Sequence, residues 1–231
     1  MRLYRQDLDA LAVESSVVRA MDRAAIEDFG VPGAVLMENA GAAAAEVAAE
    51  MLAPGARVLV AAGAGNNAGD GFVIARHLAN RGYGVDVLTA VEGASYSGDA
   101  ATNFRVIEKM RLPVHTWKGP APAAAGGAEL IVDALLGTGL KGALRPPYPE
   151  MIAFVNSHGA RVLAVDIPSG LDGDTGEIHT AVVRAARTVT FALPKKGLFI
   201  GEGPLWAGEV ILADIGMPRA VYPAGKALPG P

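Results

Sequence analysis

The residues with legible chemistry in this sequence are three aspartates, two directly after an apolar run and one closing a polar cluster. Asp133 follows Leu130-Ile-Val132 and precedes Ala-Leu-Leu-Gly137-Thr138-Gly139-Leu140-Lys141-Gly142-Ala143. Asp166 follows Val162-Leu-Ala-Val165 and precedes Ile-Pro168-Ser169-Gly170. Asp70 closes the cluster Asn66-Asn67-Ala68-Gly69, which comes after the apolar run Val58 to Ala62. Asn67, Asp133 and the Ser169 loop offer amide, carboxylate, hydroxyl and carbonyl oxygens, a donor set that suits a hard cation. A single carboxylate keeps the ligand charge low and favours a monovalent ion over Ca²⁺. A second reading of Asp133 stays open, in which it caps the backbone N–H groups of its own loop. Asp166 is expected to emerge partly buried, with a perturbed proton affinity that suits general acid or base work. Lys141, Lys195 and Lys196 are placed to meet phosphates, or are simply solvated.

The stretch around Asp70 has the form Gly63-x-Gly65-x-x-Ala68 after a Val-rich run, similar to a dinucleotide-binding turn. Glycine there lets backbone N–H groups come close to a ligand. Two features do not fit the ordinary turn. The acidic residue that should hold a ribose about 20 residues on is missing, because Asp86 sits inside Val85-Asp-Val-Leu88. Asp70 falls where the helix is expected to begin, and a carboxylate capping that end would compete with phosphate. Other chemistries fit less well. Ser169 with Asp166 and His179 lacks the glycine that a nucleophile elbow needs at position 167. No G-x-x-x-x-G-K-[ST] occurs, and His77, His115, His158 and His179 are too scattered to suggest zinc.

The elements that must position these residues alternate. Helices are expected over 15–29 and 33–52, a strand over Val58–Ala62, and a helix over Phe72–Leu78. Tyr83–Ala90 reads as strand, Asp99–Met110 as helix, and Leu112–His115 as a short strand. Glu129–Asp133 reads as strand, Pro147–Asn156 as helix, and Arg161–Asp166 as strand. Thr188–Leu193 and Gly208–Leu212 read as two late strands, and 118–127 as a loop. Within the second helix, Glu38 and Asn39 interrupt an apolar stretch and could face a site or a subunit contact. The pattern predicts an α/β fold with a mostly parallel sheet and helices on both faces. Strands ending at Ala62, Val132, Val165 and Leu193 then deliver their loops to one edge of the sheet, where ligands bind.

The chain has 231 residues, a formal net charge of −4, 51% apolar residues and no cysteine. These totals suit one domain, expected over 1–220, followed by a Pro/Gly-rich tail over 221–231. The absence of a basic block argues against nucleic-acid binding, and no stretch reads as a membrane span or signal peptide. Disulfides and thiolate metal sites are excluded. A cytoplasmic location is expected.

Several runs together are similar to the NAD(P)H-hydrate epimerase family. They are Gly65-Asn-Asn-Ala-Gly-Asp-Gly71 with Ala75-Arg-His-Leu78, Val132-Asp-Ala-Leu-Leu-Gly-Thr-Gly-Leu140, and Val165-Asp-Ile-Pro-Ser-Gly-Leu-Asp172. Val18-Arg-Ala-Met-Asp22, Leu36-Met-Glu-Asn-Ala-Gly41, Phe191-Ala-Leu-Pro-Lys-Lys-Gly197 and the ending Gly208-Glu-Val through Asp214-Ile-Gly-Met-Pro218 agree as well. Ala68 departs from the family, where glycine is usual. The resemblance implies a Rossmann-like three-layer sandwich, usually dimeric, that interconverts the R and S forms of hydrated NADH and NADPH. It implies substrate contacts from Asn66, Asn67, Ala68, Gly69 and Asp70, from Gly137, Thr138, Gly139, Leu140, Lys141, Gly142 and Ala143, and from Asp166. It also implies a potassium ion on Asn67, Asp133 and Ser169. Asp166 is the expected acid/base. Two alternatives stand beside this: a non-catalytic nucleotide-binding or dimerisation module of the same fold, or the epimerase half of a bifunctional epimerase/dehydratase.

Overall fold

The computed structural model describes residues 2–120, 125–139 and 142–228. Its centre is an eight-stranded sheet in the order β1-β8-β7-β6-β5-β2-β3-β4. The strands are β1 (Leu3–Tyr4), β2 (Arg57–Ala62), β3 (Gly84–Thr89), β4 (Val114–Thr116), β5 (Leu130–Ala134), β6 (Arg161–Val165), β7 (Arg187–Phe191) and β8 (Glu209–Ala213). All neighbouring strands run parallel except β1, which pairs antiparallel with β8. From β2 the chain moves outward to β3 and β4, then returns to lay β5 on the other side of β2. The gap beyond the carboxyl ends of β2 and β5 is therefore the sheet's topological switch point.

Helices cover both faces because consecutive strand residues point opposite ways. Val58, Val60, Ala62, Leu130 and Val132 pack beneath α1 (Ser15–Glu27), α2 (Gly33–Glu50), α3 (Asn66–Asn80) and α4 (Gly98–Lys109). Leu59, Ala61 and Ile131 pack on the other face against Met151, Ile152 and Val155 of α5 (Tyr148–Ser157). Both faces being dry explains why β5 is apolar at every position but Asp133. The alanine-rich α2 comes very close to α3: a Cβ on Gly41 would sit 2.4 Å from Cβ of Val73. Phe72, Tyr96 and Phe104 lock α3 to α4, with ring centroids 5.0–5.3 Å apart.

The largest departure from the sequence reading is at α3. Its helix begins at Asn66, not near Phe72, so the polar cluster is the first turn of the helix rather than a loop. Asn and Gly are poor helix formers, but Ala68 and Gly69 are buried there, and a Cβ on Gly69 would lie 2.6 Å from Met37 Sδ. Packing against α2 overrides local preference. The short α6 (Gly203–Trp206) and β1 had no signal in the sequence. The tail is docked as far as it is described: Tyr222 and Leu228 pack on the core, and Lys226 Nζ donates to Ala10 O at 2.5 Å. Among the described residues, no helix is long and apolar enough to cross a membrane.

Candidate functional site

A cavity of about 650 Å³ opens over the carboxyl ends of β2, β5, β6 and β7, at the switch point. Its floor begins with the turn after β2. Gly63 N donates to Ala134 O at 3.0 Å, and the buried Tyr96 hydroxyl donates to Gly63 O at 2.8 Å. A Cβ on Gly63 would fall 1.7 Å from Leu135 O, so this glycine lets two loops of the protein meet. The close approach expected for a ligand belongs instead to Gly65, which has open space where its Cβ would be.

Gly65 is the N-cap of α3, with no side-chain cap and no acidic residue in the first turn. The expectation that Asp70 caps this end is not met, because Asp70 lies inside the helix and points into the cavity. The first N–H groups of α3 thus remain unpaired by side chains beside exposed Ala64, Gly65 and Asn66. This is the electropositive end of a helix, suited to a phosphate.

Two neighbouring strands end alike. Asp166 has φ +70° and Ala192 has φ +59°. Each is the middle of a three-residue turn, closed by Ile167 N to Val165 O at 2.9 Å and by Leu193 N to Phe191 O at 2.7 Å. Such γ-turns with positive φ are rare and strained, and strain of this kind collects at functional sites. They set Asp166 against Lys195, whose side chain is 1% exposed. The ammonium spends its three donors on Asp166 Oδ1, on Thr190 Oγ1 at 3.2 Å and on Phe191 O at 3.4 Å. Neither Lys195 nor Lys196 is therefore free for phosphate as expected; Lys196 pairs with Glu14 at 3.2 Å. Lys141 lies outside the described residues. Arg19 also lines the cavity, with Nη1 on Thr138 O at 3.3 Å.

Two further carboxyls share the space. Asp70 is pushed well above the usual carboxylate range, first by burial and then by Asp166 and Asp22, with Lys195 opposing. Asp22 of α1 is raised by burial, Lys195 opposing and Asp166 adding. Sequence reasoning gave Asp22 no role. The available signal was its place beside Val18, Met21 and Ala25, the buried stripe of α1.

Beneath the cavity, Asp133 and Ser169 are 0% exposed. Asp133 lies within β5, in keeping with the strand expected over 129–133, opposite Ala61 and Ala164. Its carboxylate accepts Ser169 Oγ at 2.6 Å, Ser169 N at 2.8 Å and Leu135 N at 3.3 Å. The capping geometry is thus present. Even so, burial lifts this carboxyl to about 6, and among the described residues no cationic side chain bonds to it. Nearby, a Cβ on Gly137 would lie 3.6 Å from Asn67 Cβ, and the buried Nδ2 of Asn67 has no partner among the described residues. Since the two ends of an amide are interchangeable by assignment, that orphaned position can equally present Oδ1. An uncompensated buried carboxylate, a hydroxyl and an unpaired amide fit a low-charge cation. Among the described residues, no group of three His, Asp or Glu side chains is arranged to hold a metal.

Of the expected substrate contacts, Asn66, Asn67, Asp70, Gly137, Thr138, Gly139 and Asp166 line the cavity. Ala68 and Gly69 are turned into the core instead, while Gly142 and Ala143 are exposed outside the lining. Leu140 lies outside the described residues. Glu38 and Asn39 face neither the cavity nor solvent alone: Glu38 bonds His77 at 2.8 Å and also Arg76, and Asn39 Nδ2 donates to Ile215 O at 2.8 Å. Ser169 and His179 belong to separate pairs, the latter with Asp172 at 3.1 Å, which removes the hydrolase arrangement.

An open, mostly parallel sheet with helices on both faces and a carboxylate-rich cavity at its switch point defines a doubly wound α/β protein. The chain belongs to the family described as YjeF-related protein N-terminus, which it matches over residues 33–197. It is 42% identical over 203 residues to the NAD(P)H-hydrate epimerase of Rhodopirellula baltica, covering 87% of this chain and 82% of that one. It is 46% identical over 210 residues to the bifunctional NAD(P)H-hydrate repair enzyme Nnr of Hyperthermus butylicus, covering 90% of this chain. The chain spans 38% of the length of that bifunctional relative. The crystal structure of yeast ynu0, YNL200c, shares the fold, with a TM-score of 0.74 at 24% identity over 91% of each chain.

Proposed function

We propose that this chain is an NAD(P)H-hydrate epimerase, interconverting the R and S forms of hydrated NADH and NADPH. The observation that carries the reading is the joint lining of one cavity by the uncapped N-terminus of α3 and by Asp166 on its strained turn. The helix end suits the pyrophosphate of a dinucleotide, with Arg19 as the cation at the rim. The altered ring then lies toward the carboxylates. Its C6 bears both the ring nitrogen and a hydroxyl, so inversion passes through a planar carbon. Either the hydroxyl leaves and water returns on the other face, or the ring opens and recloses. Both routes move protons at oxygen, and we assign that transfer to Asp166.

Asn67, Asp133 and Ser169 would hold a potassium ion, which supplies a fixed positive charge beneath the cavity. A homodimer, a cytoplasmic location, and a working or covalent partnership with an NAD(P)H-hydrate dehydratase complete the reading. Sedimentation of the purified chain tests the dimer. The activity is tested by incubating the protein, in potassium buffer, with one purified epimer and separating the products chromatographically. The other epimer should appear well ahead of the protein-free control; equal rates would leave a binding module as the better description.

A further inference from the structure

Epimerisation at C6 needs a proton delivered to one oxygen and removed from another. A single carboxylate can do both only in turn. The cavity supplies two candidate groups from different elements, Asp70 from α3 and Asp166 from the end of β6. Their surroundings differ in kind. Asp166 is hydrogen-bonded to the buried ammonium of Lys195 and receives Thr190 Oγ1 at 3.4 Å, so its charge is paired. The Asp70 carboxyl has no hydrogen bond or ion pair with any described residue, and it faces the negative charges of Asp166 and Asp22.

We propose that Asp70 is the proton donor and Asp166 the proton acceptor, so that the reaction is divided between two carboxyl groups. This rests on the epimerase reading above. Asp70 gives its proton to the C6 hydroxyl. The C6–O bond breaks with its electron pair leaving on oxygen as water, and the ring-nitrogen lone pair forms the C6=N bond. A water molecule adds to C6 from the other face, the π pair returns to nitrogen, and Asp166 takes the released proton. The opposite epimer runs the same steps with the proton starting on Asp166, and solvent in the cavity returns it to Asp70 for the next turnover.

The electrostatics support this division. Four carboxyls, those of Asp22, Asp70, Asp99 and Asp166, line the cavity with the Arg19 guanidinium and one ammonium, and the ammonium is committed to Asp166. Burial and the neighbouring charges hold Asp70 well above the usual carboxylate range, keeping it a donor. Environments that separate two carboxyls in this way are those that assign acid and base. The charged and titratable groups facing Asp70 are Arg19 and Asp22 of α1, Asp99 of α4, Tyr148 of α5, Asp166 and Lys195. Glu38, Arg76 and His77, between α2 and α3, pair with one another.

The test is the kinetics of Asp70→Asn, Asp70→Glu and Asp22→Asn on one purified epimer across pH. Asp70→Asn should lose kcat by on the order of 100- to 10,000-fold with KM unchanged, and Asp70→Glu should recover part of it. In wild type, kcat should fall on the alkaline side as Asp70 gives up its proton. Removing the Asp22 charge should move that alkaline limb to lower pH. Wild-type kcat in Asp70→Asn, or an alkaline limb unmoved in Asp22→Asn, would overturn the assignment and leave the epimerase reading intact. A wild-type protein no faster than the spontaneous reaction would remove the reading itself. Should Asp70→Asn fail to fold, the displacement in Asp22→Asn decides.

Discussion

In protein stripped of monovalent cations, folding stability should carry an Asp133 penalty that changes with pH. Burial raises this carboxyl from 3.8 to about 6, against the pull of the bonds from Ser169 and Leu135. At about 1.4 kcal/mol per pH unit, that rise costs the ionised form about 3 kcal/mol. A folded-state value above the unfolded one means that the folded protein holds the proton longer. The contribution is therefore complete below 3.8 and is lost as pH rises through about 6. Asp70 and Asp22, also raised, act in the same sense, whereas Glu38 and Asp172, lowered, act in the opposite one. Subtracting an Asp133→Asn variant isolates the one group. Urea unfolding in choline chloride should show the wild-type-minus-variant difference falling by about 2 kcal/mol from pH 4 to pH 7, most of the full change. Potassium should recover part of that loss, because an ion bound only by the folded protein stabilises it. A difference flat with pH would refute the burial argument, and a fall indifferent to potassium would place the ion elsewhere.

Four substitutions, at Lys195, Asp166, Gly63 and Tyr96, test the scaffold of the site. Lys195→Met strands Asp166 without its counter-charge and should cost toward the low end of about 3–5 kcal/mol, since 16% of the Asp166 side chain stays exposed. Adding Asp166→Asn should restore most of that stability in thermal melts. Gly63→Ala drives a methyl into Leu135 O and should destabilise by about 3 kcal/mol or more, with loss of hydrate turnover. Tyr96→Phe orphans the buried Gly63 carbonyl and should lower the unfolding free energy by about 1–3 kcal/mol.

The sheet edge was legible because four apolar runs each ended in Asp, Gly or Pro, and parallel strands send such ends the same way. Asp133 and Asp166 could be singled out on those grounds alone. The start of α3 could not. An Asn-Asn-Ala-Gly-Asp segment has loop composition, and its helix exists because Gly69 and Ala68 fit against α2 and α4, a contact between distant residues. The same holds for Lys195: its spacing from Asp166 in sequence gives no hint that two adjacent strained turns bring their side chains together. Asp22 was hidden within an amphipathic helix, where a carboxylate beside a buried stripe resembles an ordinary solvated residue. Gly63 was assigned to the ligand because a motif can show that close approach is needed, but not by what.

The proposed interconversion of two epimers of a hydrated nicotinamide nucleotide in one cavity consumes neither. Its most direct measurement starts from each pure epimer of the NADPH hydrate separately, with wild-type protein and potassium, and follows both by proton NMR. The two samples should reach the same epimer ratio, faster than protein-free controls, with total hydrate conserved. Rates equal to the controls, or hydrate lost from either sample, would contradict it.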